Sequence, residues 1–145
     1  MAHGTVEHIH LAATEGGPIE AVPEVEAEAG QGLRGEYHHG LDRDDITLIE
    51  AERLEALAAE HGVGLAPGET LRNVTTRGLD LGDLIGRRFR VGEAVCQGIE
   101  RCEPCAKLAR RTDARVLPGL VHSGLSATIV QSGTIRVGDP VEALR

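Results

Sequence analysis

A short segment with two cysteines, Cys102-Glu103-Pro104-Cys105, carries the clearest chemical signal in the sequence. Proline favours the first position of a helix, because its fixed φ suits a helix and its missing N–H would have no partner there. Residues 106–111 can continue such a helix, so we expect Cys105 in its first turn, where unpaired N–H groups and the helix dipole favour a thiolate. A stabilised thiolate is a good metal ligand and nucleophile, and Cys105 is therefore predicted to be a reactive or metal-ligating residue.

Other uses of these cysteines stay open on the residues alone. With His38, His39 or His122 the Cys-x-x-Cys pair could complete a zinc site, although no second Cys-x-x-Cys is present and the histidines lack metal-ligand spacing. A redox disulfide of the thioredoxin type belongs in a βαβ context that the sequence does not show. The remaining alternative is an inert buried thiol, which is what we expect of Cys96 in its apolar strand.

A glycine-rich loop precedes these segments in the chain. Its Gly30-x-Gly32-x-x-Gly35 pattern matches the dinucleotide-binding fingerprint, but that site needs a helix directly afterwards and a βαβ unit around it. Residues 36–42 are a poor helix start, so we reject a dinucleotide site. Arg34 and backbone N–H groups of the loop could still bind an anion, and a merely connecting loop is the equal alternative.

Composition excludes several classes of function. The chain has 23 acidic and 15 basic residues and a formal net charge of −8, which disfavours nonspecific binding to nucleic acid. One Tyr, one Phe and no Trp leave no platform for stacking bases. No apolar stretch approaches the ~20 residues that span a bilayer, and the N-terminus does not resemble a signal peptide. We therefore expect a cytoplasmic protein with reduced cysteines and no membrane partner.

The elements that must position these residues are mostly short strands. Apolar and alternating runs predict strands at 6–11, 22–29, 46–49, 71–76 and 88–95, a hairpin over 127–137 and a last strand after residue 140. One helix is predicted from Glu50 to His61, because Leu54 and Leu57 share a face and Gly62 is a typical stop. The 145 residues fit one domain, and the frequent strands and glycines indicate a mainly β protein, built as a barrel or tightly curved sheet.

Five segments, in their order and spacing, resemble the MOSC domain, named after the C-terminal region of molybdenum cofactor sulfurase. They are Gly32-Leu33-Arg34-Gly35-Glu36-Tyr37-His38, Arg72-Asn73-Val74-Thr75-Thr76-Arg77-Gly78, the stretch 81–92, Cys102-Glu103-Pro104-Cys105 and the stretch 133–139. The resemblance covers nearly the whole chain and implies a single domain, residues 1–145, of the free-standing bacterial type. Its fold would be a MOSC-type β-barrel with one or two short helices. The sequence departs from the family at Glu36-Tyr37, where Asp-Arg is commoner, which removes one positive charge from that loop, and Arg34 could compensate for it.

The resemblance also implies a site for the molybdenum cofactor, molybdopterin. The key cysteine of the family falls on Cys105, which ligates molybdenum in relatives that bind the cofactor and holds a persulfide in the sulfur-carrier proposal for the family. Planar guanidinium groups suit the phosphate of the cofactor, so Arg34 and Arg72 are its candidate ligands. His38, Asn73 and Thr75 are expected either to hydrogen-bond the pterin or to shape the pocket.

Three functions are compatible with these features. A molybdenum-dependent reductase of N-hydroxylated compounds would take electrons from a separate electron-transfer protein, because the sequence has no flavin, haem or iron–sulfur motif. A sulfur carrier or sulfurtransferase would instead dock to a pyridoxal-phosphate-dependent cysteine desulfurase. A non-catalytic accessory module would bind its partner through the helix at 50–61 and use Cys102 and Cys105 structurally. Whether the chain is an enzyme is left open at this point, as is its oligomeric state.

Overall fold

The computed structural model of the chain describes residues 3–41, 44–103, 106–120 and 123–144. The described part contains mostly short strands with three α-helices and two 3₁₀ helices, at Pro67–Glu69 and Leu81–Leu84. In chain order the elements are β1 (His3–Ala12), β2 (Ile19–Ala21), β3 (Glu24–Glu28), β4 (Gly32–Leu33), β5 (Ile46–Glu50), α1 (Ala51–His61), β6 (Val74–Arg77), β7 (Arg88–Val91), β8 (Ala94–Cys102), α2 (Ala106–Arg111), α3 (Val116–Gly119), β9 (Gly124–Gln131), β10 (Gly133–Arg136) and β11 (Pro140–Ala143).

Seven strands close into a barrel in the order β11-β7-β8-β9-β5-β6-β1, and β1 pairs back to β11. Neighbouring strands are antiparallel except for the parallel pair β5–β6. The far end of β1 also pairs with β2, while β10, β3 and β4 form a separate small sheet. Closure satisfies the edge N–H and C=O groups of the sheet. The predicted mainly β, barrel-type fold is confirmed.

The barrel encloses the main hydrophobic core. Because side chains alternate across a strand, Ile46 and Leu48 of β5 point inward, together with Val74 of β6 and Leu125 of β9. The single phenylalanine, Phe89, is fully buried among them. Aliphatic side chains therefore fill the interior, as the composition predicts.

A second apolar cluster lies on the outer face of the barrel, under the helices. Ile49 of β5 contributes to it, together with Leu54 and Leu57 of α1. Leu108 of α2 and Leu120, which directly follows α3, complete this side of the cluster. All five residues of β5 are buried, because this strand has the core on one side and the helices on the other. Helix α1 ends where predicted, with Gly62 at a φ of 69° and its N–H bonded to the carbonyl of Ala58.

Two strand predictions are wrong, and local packing explains both. Residues 88–95 form two strands, because Gly92 (φ 57°) and Glu93 make a two-residue turn between the paired Val91 and Ala94. The predicted hairpin over 127–137 does form two strands, but β10 pairs with β3 and not with β9. Along residues 128–131, one edge of β9 pairs with β8. On the other edge the N–H of Ile129 donates to the carboxylate of Asp45 and its carbonyl accepts from the N–H of Gly30, so β10 does not fold back on β9.

The helices do not resemble membrane spans. In the ranges described above, no helix is long and apolar enough to cross a bilayer.

Candidate functional site

A cavity of about 350 Å³ opens on the outer face of the barrel, where the far end of β1, the starts of β5 and β6, and the end of β8 come together. This volume lies within the range of ~300–1,000 Å³ typical of small-molecule sites. The lining residues are His10, Ala12, Glu15, Gly16, Gly17, Ile19, Glu36, Tyr37, His38, Asp44, Thr47, Leu71, Arg72, Asn73, Cys102 and Arg111.

Asn73 ties the three strands at this point together. Its Oδ1 accepts hydrogen bonds from the backbone N–H and the hydroxyl of Thr47, both at 3.1 Å. Its Nδ2 donates to the carbonyl of His10 at 3.3 Å. The amide has two N–H hydrogens, so one of them is left for a ligand.

Arg72 is anchored at the cavity and still has donors to spare. Its Nη2 donates to the carbonyl oxygens of Cys102 at 3.4 Å and of Glu103 at 2.8 Å. Within the described ranges, its Nε and Nη1 make no hydrogen bond. The preceding residue, Leu71, has a φ of 64°, an uncommon conformation for a branched residue that is often found at functional sites. Arg72 can therefore bind an anion while it holds the end of β8 in place.

A second cation lines the same cavity. Arg111 lies in the last turn of α2 and is exposed, with no ion pair to any residue in the described part of the chain. Arg72 and Arg111 are the two cations of a lining that also contains the carboxylates of Glu15, Glu36 and Asp44, so an anion would bind at the arginine side of the cavity.

Glu36 and His38 form a hydrogen-bonded pair in the wall of the cavity. Oε1 of the buried Glu36 accepts the backbone N–H of Ala12 at 2.7 Å, and its Oε2 lies 2.9 Å from Nδ1 of His38. The ring of Tyr37 contacts the imidazole of His38, with 4.0 Å between the centroids. The loop that follows β4 is thus fixed to β1, and His38 is held in the wall of the cavity.

His10 brings a second imidazole into the cavity wall. Burial lowers the pKa of His10, and the nearby His8 lowers it further, so the ring stays neutral near pH 7. Its Nδ1 is buried without a hydrogen-bond partner among the described residues. Gly68 leaves room for the ring, because a Cβ there would lie 3.1 Å from it.

Only some of the predicted site residues line the cavity. His38, Arg72 and Asn73 line the cavity, together with the half-buried Cys102. Arg34 does not line the cavity, because it is exposed and pairs with Glu28 at 3.1 Å. Thr75 is fully buried, and its hydroxyl has no partner in the described part of the chain. Cys105 lies outside the described residues, as does His122.

Cys96 is an inert core thiol, as predicted. It is fully buried in the barrel, and burial raises the pKa of its thiol to about 12, with a smaller contribution from Asp45. No group of three or more His, Cys, Asp or Glu side chains that could hold a metal ion occurs among residues 3–41, 44–103, 106–120 and 123–144. The zinc alternative depends in part on Cys105 and His122, which fall outside those ranges.

Sequence reasoning missed most of the lining, including Glu36, Thr47, His10 and Arg111. Glu36 was noticed only as a departure from the family pattern, and Thr47 only as part of an apolar strand. The polar positions His8 and His10 in β1 signalled an outward face, without indicating a cavity. Nothing in the sequence singled out Arg111, because its place depends on how α2 packs on the barrel.

Solved structures with the same fold include three bacterial proteins. YuaD from Bacillus subtilis superposes with a TM-score of 0.86 at 18% identity, over 97% of this chain and 95% of that chain. YiiM from Geobacillus stearothermophilus gives a TM-score of 0.72 at 21% identity, over 98% and 75% of the two chains. YiiM from Escherichia coli superposes with a TM-score of 0.70 at 21% identity, over 100% of this chain and 70% of that chain. At these identities the likeness establishes the fold alone.

The sequence comparison identifies the family. No curated protein gives a significant match. The family profile of the MOSC domain matches residues 35–142, which include the loop of Glu36 and His38 and the segment of Arg72 and Asn73. The chain therefore belongs to the MOSC domain family.

Proposed function

We propose that this domain binds the molybdenum cofactor in the cavity, with Cys105 as the ligand of its metal. The MOSC family is associated with that cofactor. The observation that carries the proposal is the convergence of Arg72, His38 and Asn73 on one cavity that Cys102 also lines. These residues come from three of the family segments, which are far apart in the sequence.

The donors and acceptors of the cavity fit a pterin that carries a phosphate. Arg72 has unused N–H groups and Arg111 is unpaired within the described ranges, and guanidinium groups bind phosphate through paired, charge-assisted hydrogen bonds. The remaining N–H of Asn73 can bond to the edge of a pterin ring, as can the imidazoles of His10 and His38. The carboxylates that line the cavity, among them Glu15 and Asp44, suit the amino groups of such a ring.

The role of Cys105 rests on chain chemistry. Residue 105 comes three residues after Cys102, so covalent geometry keeps their Cα atoms within roughly 11 Å of each other. We take Cys105 as a ligand at this cavity because Cys102, three residues earlier in the chain, is among the lining residues. A thiolate is a soft ligand that suits a metal with sulfur coordination. The bound cofactor would supply the redox chemistry, and the arginines, Asn73 and Cys105 would hold it.

Loading of the purified protein tests this proposal. The full chain is made in a host that synthesises the cofactor and purified without oxygen, and molybdenum and pterin are measured per chain. We expect near-stoichiometric amounts in the unmodified protein and a loss of molybdenum in Cys105→Ser at an unchanged melting temperature. Cys96→Ala is the matched control, because it removes a thiol that lies inside the barrel, and it should stay loaded. Unmodified protein without pterin and molybdenum would refute the proposal.

A sulfur carrier is the second candidate, because Cys102, which lines the cavity, lies close in sequence to Cys105. In this function Cys105 would hold a persulfide received from a cysteine desulfurase, and no metal would be bound. Intact mass spectrometry after incubation with a desulfurase and cysteine would then show the addition of one sulfur atom, absent in Cys105→Ser. A cytoplasmic location, where thiols stay reduced, belongs to both proposals.

A further inference from the structure

The loop between β4 and β5 contains a buried carboxylate that the proposed binding of phosphate and metal does not use. Glu36 is almost fully buried and lies against the cavity. Each of its two oxygens has one partner, the N–H of Ala12 for Oε1 and Nδ1 of His38 for Oε2. This arrangement holds the imidazole from one side, and Tyr37 contacts its ring face.

The position of the imidazole proton follows from these contacts. A neutral histidine carries one N–H, and the partner of the other nitrogen decides which nitrogen bears it. An ionised carboxylate can only accept hydrogen bonds, so the 2.9 Å contact to Oε2 of Glu36 requires the proton on Nδ1 of His38. The opposite ring nitrogen, Nε2, makes no hydrogen bond within the described residues and carries a lone pair.

We propose that Glu36 is a positioning residue that holds His38 in the Nδ1–H tautomer, so that Nε2 accepts a hydrogen bond from the ligand of the cavity. The ligand class is thereby narrowed to molecules that present an N–H or O–H donor at this wall, as the ring of a pterin does. The statement that a ligand donates a hydrogen bond to Nε2 of His38 rests on the proposed function. The tautomer itself belongs to the protein and can be tested without a ligand.

The adjacent histidine supplies an internal control. His39 is also bonded to a carboxylate, but through Nε2, which lies 2.7 Å from Oε1 of Glu28. By the same argument His39 carries its proton on Nε2. Neighbouring histidines of one loop are therefore expected to have opposite tautomers, each set by its own glutamate.

The test is nitrogen NMR on protein labelled with ¹⁵N in histidine, at a pH where the imidazoles are neutral. The unmodified protein should show a protonated Nδ1 at His38 and a protonated Nε2 at His39. Glu36→Gln keeps the shape of the side chain, and its amide oxygen can still accept from Ala12. Its NH₂ group would then face His38 and donate, so the proton of His38 should move to Nε2. Glu28→Gln should leave His38 unchanged.

A second measurement connects the tautomer to binding. Pterin content is compared for the unmodified protein, Glu36→Gln and Glu28→Gln, purified from the cofactor-producing host. We expect a roughly five- to tenfold loss in Glu36→Gln alone, the size of one lost hydrogen bond, at an unchanged melting temperature. A protonated Nε2 at His38 in the unmodified protein would overturn the proposal, as would a tautomer unaffected by Glu36→Gln. If no variant contains pterin but the tautomers are as expected, the cofactor proposal fails and the positioning role of Glu36 stands.

Discussion

Two arginines with the same predicted role have different surroundings in the folded chain. Arg34 is exposed and forms an ion pair with Glu28, and exposed pairs of this kind contribute little to stability. Arg72 lies at the cavity, with its guanidinium bonded to two carbonyl groups on one side only. Burial and unused donors favour Arg72 over Arg34 as the phosphate ligand.

Replacement of each arginine tests this distinction. We expect Arg72→Ala to lower cofactor content about tenfold or more, because hydrogen bonds to a charged group contribute about 1.5–3 kcal/mol. Arg34→Ala should stay close to the unmodified protein and serves as the matched control. Pterin and molybdenum per chain are the measurement, with the melting temperature as the check on folding. Equal losses in both variants would mean that Arg34 contacts the ligand.

Because the thiol of Cys96 is buried, we expect the free energy of unfolding to depend on pH. Its pKa is raised from the ordinary value of 9.0 to about 12, so the folded state disfavours the thiolate. The contribution of the protonated Cys96 thiol to the free energy of unfolding is fully present below about pH 9. It falls as the pH rises toward 12, by at most about 1.4 kcal/mol per pH unit. Denaturant unfolding of the unmodified protein and of Cys96→Ala at rising pH measures this. The difference in unfolding free energy should shrink above pH 9, and a constant difference would contradict the prediction.

At the scale of elements, glycines show where the chain must pass close to itself. Gly98 in β8 crosses the segment after the second 3₁₀ helix, and a Cβ there would lie 2.0 Å from the carbonyl oxygen of Leu84. The same crossing is closed by a hydrogen bond from the N–H of Gly86 to the carbonyl of Gly98, at 2.9 Å. Because a Cβ at Gly98 would meet backbone atoms, rotation of a side chain could not relieve the clash.

Alanine at Gly98 should therefore destabilise the fold. We expect a loss of about 1–3 kcal/mol or more, the usual cost of overpacking, measured as the free energy of unfolding in urea. Gly64 is the matched control, because its Cβ would meet no atom within 4 Å and its φ is not positive. Gly64→Ala should be neutral or slightly stabilising. A Gly98→Ala protein as stable as the Gly64→Ala protein would rule out the close crossing.

On the scale of the whole molecule, barrel closure depends on the last strand. β11 pairs with β7 on one side and with β1 on the other, and its Val141 is fully buried in the core. Hydrogen bonds between Val6 and residues 138 and 139 hold the same seam. The two ends of the described chain thus meet within one sheet.

A chain that ends at Asp139 should not fold cooperatively, because both edges of the open barrel would be left unpaired. The ¹H–¹⁵N NMR spectrum of the truncated chain should lose its dispersion, whereas a chain that ends at Leu144 should keep it. A dispersed spectrum after truncation at Asp139 would show that closure is dispensable.

The sequence by itself determined the features that depend on neighbouring residues and on pattern. Helix α1 follows from the spacing of Leu54 and Leu57 and from the stop at Gly62, which are local properties of the chain. The inert character of Cys96 follows from its apolar strand. The order of the family segments indicated a barrel of the MOSC type before any contact was known, and it brought Arg72, Asn73 and His38 together as candidates.

Only the tertiary structure decided which strands pair and which polar groups meet. The partner of β10 was not predictable from its neighbours, because it depends on what occupies the two edges of β9 at residues 128–131, which are β8 on one side and Asp45 and Gly30 on the other. The hydrogen bond between the buried carboxylate of Glu36 and the backbone of Ala12, 24 residues away, depends likewise on a contact between distant segments. Such contacts are set by the packing of the closed barrel, which constrains all of its strands at once and leaves little trace in any single segment.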